Sequence, residues 1–115
     1  MNSDEFVDAI KRYVKYAAIE DTIENLKNPP GRQVPAQERA RSDWYNGLSE
    51  IDKAHMNSAI ASAVHAGLFG FLCVLDGART IDDNNGRFEL TYVTEDRVLL
   101  NGPSNPLHDL LNAEK

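Results

Sequence analysis

The sequence predicts a mostly helical α+β fold: a long N-terminal helix and a central apolar helix, packed with a small antiparallel β-meander and a short C-terminal helix. Three observations carry this. Apolar residues recur at helical spacing through residues 4–27 and 49–75, the period changes to two after Gly77, and Leu107, Leu110 and Leu111 add a last helical turn. At 115 residues, 42% hydrophobic and 26% charged, the composition is that of one globular domain over residues 1–115. Its helical part is expected over about 3–76, the meander over about 78–101 and the C-terminal turn over about 105–113.

Each element has a local reason. Ser3 is the expected N-cap, with Asp4 and Glu5 in the first turn, where the helix dipole favours negative charge. Phe6, Ile10, Tyr13, Val14 and Ala17 form one apolar stripe, and Tyr16, Ile19, Ile23 and Leu26 form a second on a rotated face. A helix over 4–27 must therefore drift or bend near Ala17, and Pro29-Pro30 ends it by removing two backbone donors. Pro35 opens a short helix through Glu38 and Arg41 to Tyr45, which Asn46-Gly47 stops. Trp44 is expected to anchor this helix in the core.

Ser49 caps the central helix, in a sequence that resembles a capping box with Asp52 as its fourth residue. Met56, Ile60, Ala63, Val64, Gly67, Leu68, Phe71, Leu72 and Leu75 give it one broad apolar face, and Leu68–Leu75 is apolar nearly all round. Gly77 is the expected left-handed cap. Beyond it, Phe88, Leu90 and Tyr92 alternate with polar residues, and Asn85-Gly86 predicts a tight turn to a strand around Arg79–Asp82. A third strand is expected over Arg97–Asn101.

The formal net charge is −6 and the one short basic stretch is residues 27–41. This balance argues against nucleic acid and against anionic membrane surfaces as partners. The longest apolar run, Ala66–Leu75, falls short of a membrane span, and the charged first 25 residues lack a signal-peptide core. A cytoplasmic location is expected. Cys73, the single cysteine, lies deep in the apolar half of the central helix and reads as a buried structural residue. His55 and His65 stand ten residues apart, which excludes an i, i+4 zinc pair, and His108 adjoins Asp109 in a way that orients neither. No phosphate loop, nucleophile elbow or dinucleotide motif is present, so no catalytic residue, metal or cofactor is expected.

Two surfaces stand out. The acidic residues Asp82, Asp83, Glu89, Glu95 and Asp96 gather around the meander as a candidate docking face for a basic protein. Arg39, Arg41 and Tyr45 form a secondary candidate surface, of residue types enriched at interface hot spots. A second class of function stays open: a small ligand-binding domain or enzyme, with a pocket between the central helix and the meander and polar contributions from His65, Tyr92 and Asp76. A homodimer in which Leu68–Leu75 packs against its copy is the third expectation.

Trp44-Tyr45-Asn46-Gly47-Leu48-Ser49, Phe69-Gly70-Phe71-Leu72-Cys73-Val74-Leu75-Asp76-Gly77 and Leu107-His108-Asp109-Leu110 together resemble a family of small uncharacterised bacterial proteins. The resemblance covers about two-thirds of the chain, the middle segment being its most specific part. It implies a bacterial source and a compact helical domain with a β-meander, and it brings no activity or site residue. In character, being small, acidic and free of catalytic motifs, the chain is also similar to bacterial immunity proteins.

Overall fold

A computed structural model describes residues 1–113. The helices are α1 (Ser3–Ile10), α2 (Tyr16–Lys27), α3 (Ala36–Asn46), α4 (Glu50–Leu75) and α5 (Leu107–Asn112), and the strands are β1 (Thr91–Val93) and β2 (Arg97–Leu99). A π-helical turn, Lys11–Lys15, joins α1 to α2 without a break. The mostly helical α+β class is as the periodicity predicts.

The π turn accounts for the two apolar stripes of the N-terminal helix. Its wider turn takes up an extra residue, so the buried face steps around the axis between Ile10 and Tyr16. The cap is Asn2 rather than Ser3: Asn2 accepts the Glu5 N–H at 2.9 Å, and Glu5 returns a bond to the Asn2 N–H at 3.0 Å. The Ser3 hydroxyl instead donates to the Leu100 carbonyl and fastens α1 to the hairpin base.

Helix α4 starts at Ser49, whose Oγ accepts the Asp52 N–H at 3.1 Å. It ends at Asp76 and at Gly77 with φ +79°, as the sequence predicts. The Ala78 and Gly77 N–H groups reach the Cys73 and Val74 carbonyls, the two bonds of a Schellman motif. Val7, Leu72, Leu107 and Leu111 are fully buried where α1, α4 and α5 meet, with Phe6, Leu68, Phe69, Leu75, Leu90 and Leu110 packed around them. Cys73 is buried beside this cluster.

The meander is smaller than predicted. The sheet has two strands, pairing Thr91 with Leu99, Tyr92 with Val98 and Val93 with Arg97, and the segment around Arg79–Asp82 is not a strand. Local side-chain bonds take its place. The Asp82 carboxylate accepts the Asn84 N–H at 3.1 Å, turning the chain early. The Asn101 amide donates to the carbonyls of Leu75 at 2.7 Å and Phe88 at 2.9 Å and accepts the Leu90 N–H at 2.8 Å. One side chain thus carries the hairpin's pairing past Leu100 and ties its base to the end of α4.

The tip of α3 also reverses the prediction. Trp44 is 54% exposed, whereas Tyr45 is 1% exposed and donates its hydroxyl to Asn57 Oδ1 on α4 at 2.7 Å. The reason is geometric: Ser42 and Asn46 hydrogen-bond the Lys27 carbonyl and fix the roll of α3, which turns Tyr45 inward.

Candidate functional site

Tyr45 is therefore no part of an exposed surface, and only Arg39 and Arg41 of that candidate set face solvent. Arg41 lines a dent with Leu26, Pro29, Pro30 and Glu38. The acidic candidates are all exposed but fall in two places. Asp82, Asp83 and Glu89 lie on the loop entering the hairpin. Glu95 and Asp96 lie at its tip, roughly 13 Å further along strands that rise about 3.3 Å per residue. Glu89 is held by Arg87 at 2.7 Å, so its charge is offset locally. Arg79, Arg87 and Arg97 interleave with the acids, and the face is mixed rather than uniformly negative.

The polar residues of the alternative pocket are not brought together. His65 Nε2 bonds Asn112 Oδ1 at 2.7 Å, and Tyr92 lies on the hairpin. Asp76 is engaged with His108 Nδ1 at 2.6 Å and with the His108 N–H at 2.8 Å. Between α4 and the loop after it lies a cleft of about 270 Å³, lined by Val74, Arg79, Ile81, Asp82, Arg87 and Phe88 but by none of those three residues.

Asp76 and His108 are the polar pair that sequence reasoning missed. They stand 32 residues apart, with no local signal linking them. The Asp76 side chain is 5% exposed and its Oδ1 has no partner among the described residues. Phe69 lies edge-on to the His108 ring at 5.7 Å and stacks on His65 at 6.3 Å. Both ring nitrogens of His108 face carboxylates, Asp76 on one side and Asp109 at 3.4 Å on the other. That arrangement orients the ring and joins the end of α4 to α5. Among the described residues no three His, Cys, Asp or Glu side chains are grouped to hold a metal ion.

The most apolar opening lies elsewhere. A shallow groove of about 350 Å³ runs between the N-terminal helix and the hairpin. Phe6, Ala9, Ile10, Tyr13 and Val14 form one wall, and Leu90, Thr91, Tyr92 and Leu100 form the other. Leu90 stands opposite Leu100 in the hairpin register and Tyr92 lies two residues on, so these three side chains share one face of the hairpin and build that wall. Tyr13 is 70% exposed on the helical wall. Met1 lines the groove as well, and no charged side chain does. Neither the groove nor its residues were legible in the sequence, because the hairpin must fold back over the N-terminal helix to make it.

Helix α4 has a second open surface. By length and composition it could cross a membrane, and 17% of its most apolar 18-residue stretch is buried. The sequence reading counted the uninterrupted apolar run and missed that no Asp, Glu, Lys or Arg occurs from Ala54 to Leu75. No protein-family model, curated protein or solved structure matches this chain.

Proposed function

We propose that the chain is a non-enzymatic binding domain that docks a basic partner protein, receiving an apolar segment of that partner in the groove between the N-terminal helix and the hairpin. The observation that carries this reading is the groove itself: its walls are apolar and free of charged side chains, and Tyr13 stands 70% exposed on one of them. The net charge of −6 favours a partner rich in Lys and Arg, and Asp82, Asp83, Glu95 and Asp96 stand exposed to steer it. Neutralising a basic protein in this way is the work of an inhibitor or immunity protein.

The test is capture from lysate at low and high salt, followed by calorimetry on the partner identified. Tyr13→Glu should weaken binding by about tenfold or more, because it places a charge on an apolar wall. Changing Asp82, Asp83, Glu95 and Asp96 together to Asn or Gln should flatten the salt dependence. A partner whose affinity ignores both changes would sink the proposal.

A further inference from the structure

We infer that the open face of α4 is a self-association surface whose occupant is a second copy of this chain, with the two α4 helices antiparallel about a twofold axis. This surface is separate from the groove, and the inference does not rest on it.

The first observation is area. The chain exposes 8264 Å². A compact monomer of its 12.8 kDa mass is expected to expose about 6,300 Å². Its radius of gyration, 18.1 Å, likewise exceeds the roughly 13 Å of a compact chain of this length. The excess, roughly 2,000 Å², belongs to the chain as a whole, and α4 shares in it: 17% of its most apolar 18-residue stretch is buried, where a stable interface needs about 800 Å² per partner.

The second observation is the seam. α4 packs one side against α2, the π turn and α5. The opposite side carries Asp52, Met56, Ala59, Ala63, Ala66 and Gly70, alternating at spacings of four and three, the pattern of helices paired at a shallow angle. Ala59, Ala63 and Ala66 are exposed, and their small side chains let two helix axes approach to the short end of the usual 8–10 Å. The seam is symmetric about its centre. An antiparallel twofold sets Ala59 against the second copy's Ala63, Met56 against its Ala66 and Asp52 against its Gly70. The same patch thereby serves both copies, as a closed dimer requires.

The third observation is charge. The Arg79 guanidinium lies over Gly70, with Nη1 2.7 Å from where a Cβ would stand, and no carboxylate partners it among the described residues. The seam's register brings Asp52 of the second copy to that place. The interface is then Ala-rich at its centre and closed at each end by an Asp52–Arg79 pair. A bilayer is a poorer occupant. α2, packed along α4, carries Glu20, Asp21, Glu24 and Lys27, and hydrocarbon around α4 would have to admit them.

Light scattering and sedimentation across the micromolar range test this, with circular dichroism confirming the helix content of every variant. The wild-type chain should weigh twice 12.8 kDa. Ala63→Glu, at an exposed position, should give a folded monomer. Asp52→Arg and Arg79→Asp should each weaken the dimer by about tenfold, and the two combined in one chain should restore it. A wild-type monomer throughout that range overturns the inference. So does a dimer indifferent to Ala63→Glu or to the charge exchange, and so does a monomer that floats with vesicles of phosphatidylcholine and phosphatidylglycerol.

Discussion

Asp76, the C-cap residue of α4, caps the first turn of α5 through His108: one carboxylate oxygen accepts both the His108 N–H at 2.8 Å and the ring Nδ1–H at 2.6 Å. The residue in the cap position of α5 is Pro106, which has no side chain able to accept a bond. A carboxylate from another helix supplies what the local sequence lacks. Leu107 and Leu111, both fully buried, are held against Val7 and Leu72 by this link and by the His65–Asn112 bond on the next turn. The pair is thus the polar bracket of the core.

Asp76→Ala should cost about 2–3 kcal/mol, because it leaves a ring donor and a helix N-terminal N–H without partners in a largely dry site. His108→Ala removes the ring but keeps the backbone bond, and should cost about 1–2 kcal/mol. Urea unfolding followed by circular dichroism reads both, with the midpoint moving and the slope unchanged. The ordering is the point of the experiment. If His108→Ala proves the more damaging, the capping role of Asp76 is wrong.

Asn101 makes a parallel case at the hairpin. Its amide uses both of its functions on backbone groups of α4, the entering loop and β1. Asn101→Asp keeps the shape but points a carboxylate at the carbonyls of Leu75 and Phe88. It should therefore destabilise at least as much as Asn101→Ala, by about 2 kcal/mol. Hydrogen exchange at the Leu90 amide should accelerate first. An Asp variant with wild-type exchange and stability would refute the clamp.

What the sequence made legible was the part fixed by neighbours along the chain. Ser49 and Gly77 bound α4 as expected because a cap and a left-handed stop act within a few residues. The Arg79–Asp82 strand failed because a strand needs a partner at a distance, and the Asp82 carboxylate turns the chain locally instead. Trp44 and Tyr45 exchanged roles for a related reason. Both lie in one turn of α3, and the choice between them is made by the Lys27 carbonyl, 15 residues upstream of Ser42. The groove and the Asp76–His108 bracket join distant segments, and no local pattern announces them.

That exchange gives a direct comparison. Tyr45→Ala should cost about 3–5 kcal/mol, since a fully buried aromatic leaves a cavity between α3 and α4. Tyr45→Phe should cost about 1 kcal/mol, the net value of the hydroxyl bond to Asn57. Trp44→Ala, at a position more than half exposed, should cost below about 1 kcal/mol. Thermal unfolding of the three variants in parallel checks the order, and a Trp44 effect equal to that of Tyr45→Ala would contradict the observed roll of α3.

Gly70 and Arg79 offer a last test, on α4 itself. A glycine inside a helix costs roughly 1 kcal/mol against alanine, so Gly70→Ala should stabilise α4 by about that amount if nothing opposes it. Here the new methyl would stand 2.7 Å from Arg79 Nη1, too close to keep both in place. The clash is with the far end of a flexible side chain, which can swing away at the loss of its contact with the helix. In the wild-type background the two effects should nearly cancel. With Arg79→Ala as background, Gly70→Ala should recover most of the roughly 1 kcal/mol, and the difference between backgrounds measures the contact. Equal effects in both backgrounds would mean that Arg79 does not rest on Gly70, and the ion pair inferred for the dimer would lose its anchor.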